Sequence, residues 1–138
     1  ASRGTLNTSY KEKDEENSYT ETVEVIKLDD WAKSKNIKKI DFIKIDVEGN
    51  EMKTLFGAKQ TIQKFKPTLM VEMEQRHDET PIWKEISEVE SWGFDANYLN
   101  RKTFTPEKLT EEILIKNISD EKNKTEYINN IIFFPKNV

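Results

Sequence analysis

The sequence predicts an α/β fold with a mostly parallel sheet and an antiparallel last strand. Short apolar runs of strand length alternate with stretches of helical spacing from Thr22 to Leu99. Ile40 to Val47 is apolar on both faces of a period-two strand, which suits a strand covered on both sides in a parallel sheet. Proline or glycine marks the changes of period at Gly49, Pro67, Pro81, Gly93 and Pro135.

Taken in order, residues 1–20 are polar, carry the mixed-charge run Lys11 to Glu16 and read as an exposed arm or loop, so the folded part is expected over 21–138. Thr22 to Leu28 alternates Val23 and Val25 against Glu24 and predicts a short strand. Asp29 or Asp30 is placed to cap a helix holding Trp31 and Ala32. After the strand Ile40 to Val47, Gly49 supplies a tight turn and Asn50 a cap. Met52, Leu55, Phe56, Ile62 and Phe65 then recur at helical spacing. Thr68 to Glu74 predicts a second strand, with Leu69, Val71 and Met73 alternating against Met70, Glu72 and Glu74. Thr80 and Pro81 start a helix through Ile82, Ile86 and Val89, and Gly93 closes it before the strand Phe94 to Leu99. Thr105 and Pro106 repeat that start signal and predict a short helix through Leu109 and Ile113. Ile128 to Phe134 is the final strand. No long crossover helix precedes it, so it is expected antiparallel beside Phe94 to Leu99.

Composition narrows the function. The 138 residues hold 26 acidic and 22 basic side chains for a net charge of −4, with no basic stripe, so nucleic acid is not an expected partner. No apolar run approaches the roughly 18 residues that cross a bilayer, and a soluble, cytoplasmic chain is the reading. The absence of cysteine removes disulfides, thiolate nucleophiles and sulfur-ligated zinc. With His77 the only histidine, a metal would have to be a hard ion such as Mg²⁺ or Ca²⁺ on carboxylates. Sequons at Asn7, Asn117 and Asn123 are read as chance in a chain rich in Asn, Ser and Thr. The three tryptophans, Trp31, Trp83 and Trp92, are read as packing residues.

Ligands of open α/β sheets bind beyond the carboxyl ends of the strands, which points to Asp46 to Gly49 and to Glu72 to His77. If Phe42 to Glu48 stays extended, Lys44, Asp46 and Glu48 share one side of the strand. Glu72, Glu74, Arg76 and His77 sit at the neighbouring tip. Ionisable groups gathered there are costly unless they pair or meet a ligand. The plainer reading is that Asp46 and Glu48 serve the following helix start, with Lys44 as counter-charge.

The run Ile-Lys-Ile-Asp-Val-Glu-Gly-Asn-Glu over Ile43 to Glu51, continued by Leu55, Gly57 and Ala58, resembles the signature of FkbM-type methyltransferases. Val25 to Asp30 resembles the family's Leu-Asp element. Lys66-Pro67, Val71-Glu72 and Gln75-Arg76-His77 resemble its proline-to-glutamate strand and the loop behind it. The resemblance spans Val23 to Leu99. It implies a Rossmann-like three-layer sandwich of which this chain is the C-terminal half, contributing the fourth to seventh strands. It also implies S-adenosylmethionine as cofactor and a hydroxyl of a small molecule, sugar or polyketide as acceptor. Under it Asp46, Glu48 and His77 are the catalytic candidates, with His77 the base. Asp46 also touches the cofactor, while Lys44, Glu72 and Arg76 meet substrate. Asp46, Glu48 and Glu72 are the groups that would hold Mg²⁺ if a metal takes part.

The family's glycine-rich first loop has no counterpart among the four isolated glycines and is expected upstream of residue 1, so this segment by itself is expected to bind the cofactor weakly or not at all and to be inactive or incomplete as an enzyme. A homo-oligomer or a complementing N-terminal half is therefore expected beside the edge Ile40 to Asp46. Two other readings compete: a carboxylate-based hydrolase using Glu48 and Glu72, and a non-catalytic binding or assembly module.

Overall fold

A computed structural model describes residues 22–74, 81–119 and 127–137. Its elements are α1 (Leu28–Ser34), β1 (Phe42–Ile45), α2 (Glu51–Phe56), α3 (Lys59–Phe65), β2 (Thr68–Glu72), α4 (Ile82–Ser91), β3 (Phe94–Asn100), β4 (Thr105–Lys108), α5 (Glu111–Ser119) and β5 (Asn130–Pro135). The strands form one open five-stranded sheet in the order β1-β2-β5-β3-β4.

β1 and β2 pair in parallel, and β5 pairs antiparallel with β2 and with β3. The last strand therefore lies antiparallel beside β3, as the sequence suggests, but it is inserted between β2 and β3. That insertion corrects the expectation of a mostly parallel sheet. β1, β2 and β3 do run the same way, yet only one neighbouring pair of described strands is parallel. Placing β5 between two like-directed strands lets Ile131 and Phe133, both fully buried, pack beside Leu69, Val71 and Ala96.

Period two gives the sheet two unlike faces. Ile45, Leu69, Val71, Ile131, Phe133, Phe94 and Ala96 share a core with Leu55 of α2, Ala58 at the break, Ile62 of α3, with Ile82, Ile86 and Val89 of α4, and with Leu114 of α5. On the other face Phe42, Lys44, Thr68, Met70, Glu72, Asn130, Ile132 and Phe134 are half-buried or exposed. β1 is thus closed on one side only, where the sequence implied burial on both. The third layer of a sandwich is not formed by the described residues.

Two further expectations change. Residues 22–27 form no strand and Leu28 already belongs to α1. Alternation makes a strand only when a neighbour supplies ladder hydrogen bonds. Among the described residues nothing pairs here, and Val23, Val25 and Ile26 stay more than half exposed. The second change is at Thr105 and Pro106, which lie in β4, hairpin-paired with Asn100 and Leu99, instead of starting a helix. Proline is tolerated in β4 because this is an edge strand. The helix starts at Thr110, whose hydroxyl accepts the Ile113 N–H at 3.3 Å, so the cap signal lies five residues later than read.

The helical run from Met52 to Phe65 is broken into α2 and α3 at Gly57 and Ala58. The break is bridged from α1. Asp29 N–H donates to Gly57 O at 3.0 Å, and its carboxylate accepts Gln60 N–H at 3.1 Å and Thr61 N–H at 2.8 Å. Asp29 therefore satisfies two orphan donors at the start of α3, not at the start of its own helix.

The arm over residues 1–20, the Thr80 start signal, Arg76, His77 and the sequons at Asn7 and Asn123 lie outside the described residues. The Asn117 sequon is in α5, with its amide oxygen accepting Ile128 N–H at 2.7 Å. Trp92 is buried and Trp83 packs against the core, as read, whereas Trp31 is exposed and does not join that core. No helix among the described residues is long and apolar enough to cross a membrane.

Candidate functional site

Since β1, β2 and β3 share a direction, their carboxyl ends meet at one rim of the sheet, where β5 also begins. The parallel register pairs Ile45 with Val71, so the next residues, Asp46 and Glu72, stand side by side on the more open face. The antiparallel register pairs Glu72 with Asn130 and completes a row across three strands.

The contacts along this row form a chain. Lys44 Nζ donates to Asp46 Oδ2 at 2.8 Å. Asp46 acts on the Glu72 carboxyl beside it. Asn129 Nδ2 donates to Glu72 Oε1 at 2.9 Å, and Asn130 Nδ2 donates to Asn129 Oδ1 at 3.0 Å. Neighbouring carboxylates disfavour each other's ionisation. Glu72 is held above the ordinary glutamate range, first by burial, then by the Asp46 hydrogen bond and charge. The Asn129 amide opposes that rise, and the charge of Glu74 adds to it. Lys44 is pushed above the ordinary lysine range by its bond to Asp46 and by Asp46's charge.

Glu48 leaves the row. Its φ is +48°, in the left-handed region that a residue with a side chain adopts at a cost, so the extended period of two ends before it. Gly49 follows at φ +86°, where the tight turn read from sequence is made. The turn is fixed by Glu51, a buried residue whose Oε1 accepts Gly49 N–H at 3.1 Å. Asn50 precedes α2 as expected, but its side chain makes no cap bond to the backbone and instead accepts from Lys53 Nζ at 3.4 Å.

Of the residues singled out from sequence, the structure thus gathers Lys44, Asp46 and Glu72, and it turns the backbone at Glu48. No three His, Cys, Asp or Glu side chains among the described residues converge to hold a metal ion, so Asp46, Glu48 and Glu72 do not form the metal triad raised from sequence. Asn129 and Asn130 were not anticipated. Two carboxamides immediately before an apolar strand are a signal only once that strand is known to start at the rim.

Two neighbouring carboxyls with one ammonium and one amide attached can accept a hydroxyl hydrogen bond and exchange a proton with it. Residues 1–100 match the family model described as Methyltransferase FkbM domain. The chain belongs to the FkbM methyltransferase family. No curated protein and no solved structure matches it.

FkbM membership gives the Asp29 clip a context, because it ties two of the family-like sequence elements together. The Leu28-Asp29 step reaches the Leu55-Phe56-Gly57-Ala58 corner through three hydrogen bonds. That corner follows directly on the turn that ends the Ile-Lys-Ile-Asp-Val-Glu-Gly run. Methyltransferases of this kind draw their methyl group from S-adenosylmethionine. For the remainder of the cofactor, none of the described glycines, Gly49, Gly57 and Gly93, forms a glycine-rich loop.

Proposed function

We propose that this protein is an S-adenosylmethionine-dependent O-methyltransferase acting on a hydroxyl of a small molecule, sugar or polyketide, with the acceptor held at the Asp46–Glu72 rim. The observation that carries the reading is the side-by-side placement of Asp46 and Glu72 at the ends of two parallel strands in an FkbM-family chain. Bound S-adenosylmethionine supplies a methyl group on a sulfonium sulfur, which an acceptor oxygen displaces. The work left to this chain is to orient that oxygen and take its proton. Asp46, neutralised in part by Lys44, and Glu72, propped by Asn129, offer acceptor oxygens on one side of the rim. His77, three residues beyond Glu74, is the base in this reading, with Arg76 a substrate-binding candidate and Glu48, at the turn, a further catalytic candidate.

In the same reading residues 21–138 are the carboxyl-terminal part of a Rossmann-like domain, supplying its fourth to seventh strands. The edge of β1 meets a complementing half or a second copy. The protein works in the cytoplasm.

The test is transfer of isotopically labelled methyl from S-adenosylmethionine to a panel of sugar and polyketide alcohols. Asp46→Asn, Glu72→Gln and His77→Ala should each lower kcat/KM by about 10²-fold or more, the scale of positioned acid–base groups. Transfer that proceeds at the same rate in all three variants would show that the chemistry lies elsewhere. Turnover of an ester or glycoside without any methyl donor would favour the hydrolase reading instead.

A further inference from the structure

We infer that Leu99, together with Phe104 at the tip of the β3–β4 hairpin, sets acceptor specificity by taking the apolar body of an alcohol whose hydroxyl is held at the Asp46–Glu72 rim. The inference rests on the reading of that rim as the acceptor site and narrows the acceptor to an amphipathic alcohol.

The register carries the rim row across the whole sheet. Glu72 is level with Asn130, and Tyr98 is level with Ile131, so the next residue, Leu99, meets Asn130 from the other side of β5. Leu99 is paired in turn with Pro106 of β4. Phe94 and Ala96 are fully buried on the helix-covered face, so period two puts Leu99 on the open face with Glu72. Asp46, Glu72, Asn130, Leu99 and Pro106 therefore form one row that is carboxyl at one end and apolar at the other. Leu99 is 45% exposed and Pro106 is exposed. At the usual spacing of neighbouring strands Leu99 lies roughly 10 Å from Glu72 along the row. A small polar acceptor held at the carboxyls does not reach that far, whereas an elongated apolar one does.

The hairpin beyond Leu99 is held in a conformation that costs stability. Phe104 has φ +55°, in the left-handed region that a bulky side chain adopts at a cost, and it is 78% exposed, so burial offsets little of that cost. The tip is fixed by Asn100. Its backbone carbonyl accepts Phe104 N–H at 2.7 Å, and its Oδ1 accepts Lys102 N–H at 2.8 Å and Thr103 N–H at 3.3 Å. Glycine or asparagine would take this backbone more cheaply, and a phenylalanine kept here is accounted for by a contact outside the fold. Because β3 runs in the same direction as β1 and β2, the tip continues past the rim at which Asp46 and Glu72 stand. Leu99, Phe104 and Pro106 thus give one hairpin three exposed apolar residues at the far end of the acceptor row. The carboxyls and the Asn130 amide in the same row call for hydroxyls on the ligand, so the occupant is an alcohol with an apolar body and not a purely apolar surface.

The experiment is calorimetric titration of the full chain with methyl β-glucoside and octyl β-glucoside, the latter below its micelle concentration. The two offer the same hydroxyls and differ only in the apolar body. Each methylene taken out of water can strengthen binding by up to about fourfold, so the octyl glycoside should bind at least about tenfold more tightly. Leu99→Thr and Phe104→Asn should each shrink that ratio by about threefold or more. Phe104→Asn should at the same time raise the urea midpoint of unfolding, because asparagine accepts left-handed backbone more readily. A lower midpoint would show that the ring serves the fold and would count against the inference. Circular dichroism identifies a variant that fails to fold, and the other variant then decides. A wild type that binds the octyl glycoside no more tightly than the methyl one overturns the inference. So does a preference that persists undiminished in either folded variant, since the tail would then rest elsewhere. The titration needs no methyl transfer, so a chain that transfers no methyl but loses its octyl preference in Leu99→Thr would count against the proposed function and leave this apolar site standing.

Discussion

At the scale of single residues, the sequence pointed to carboxylates whose roles the fold then divided. Asp46 and Glu72 were legible because both end apolar strands, and strand ends are where α/β sheets bind ligands. Glu48 was expected beside Asp46, but a period-two argument holds only while the backbone stays extended, and it turns at φ +48°. Asn129 lies 57 residues from Glu72 and has no local signature, so its contact could not be read from the chain. Glu72 also makes a prediction in solution. Its folded-state value is raised, by burial first and by Asp46 next, so its contribution to stability is full below the ordinary glutamate value and is lost as pH rises through the raised one. Glu72→Gln keeps an acceptor for Asn129 and a donor for Asp46 without titrating. Denaturant midpoints measured upward from about pH 4 should fall less steeply in this variant than in the wild type; parallel curves would contradict the raised Glu72 value. Asp29 is the second residue whose role moved. It was read as a cap for α1 and instead caps α3, so Asp29→Ala should cost about 1 to 2 kcal/mol by urea unfolding, the range for losing a helix cap.

Elements were read correctly where punctuation and period agreed. β2, β3 and α4 fall close to their expected bounds because Pro67, Pro81 and Gly93 fix where the period changes. β4 was misread because Thr105-Pro106 and Thr110-Glu111 are both plausible starts, and only pairing with β3 decides between them. The end of α4 shows why one of these marks is a glycine. Gly93 has φ +96°, and a Cβ there would sit 2.7 Å from Lys66 Nζ. That lysine also reaches across to Trp92 O at 2.6 Å and lies over the Phe94 ring at 5.1 Å. Gly57, by contrast, has φ −70°, and a Cβ would make contacts of 3.4 to 3.6 Å. Gly93→Ala should therefore destabilise the fold by about 1 to 2 kcal/mol, the cost of a side chain in the left-handed region. Gly57→Ala should stay within about 0.5 kcal/mol of wild type. Equal losses in the two variants, measured by thermal unfolding, would show that the left-handed backbone is not what Gly93 is for.

Across the whole molecule, the feature least visible in the sequence is the place of β5. Chain order says that an apolar strand comes last, but not whether it extends the sheet or enters it. It enters because β2 and β3 run in the same direction and present buried, strand-length partners on both sides, so an antiparallel strand between them satisfies its ladder on two edges. The same placement gives neighbouring residues of β5 opposite duties. Phe133 is fully buried on the helix-covered face, between Leu69 and Ala96, and belongs to the single core that joins α2, α3, α4 and α5 to the sheet. Phe134 is half-buried on the other face, opposite Asp95. Truncating a fully buried phenylalanine costs about 3 to 5 kcal/mol, through lost transfer energy and the cavity left behind, whereas a half-buried one removes less area from water in the first place. Phe133→Ala should thus unfold the chain or leave it barely stable in urea titration, and Phe134→Ala should lose less than half as much. Comparable losses would mean that both faces of the sheet are packed to the same degree, and the two-sided character on which the open rim depends would have to be given up.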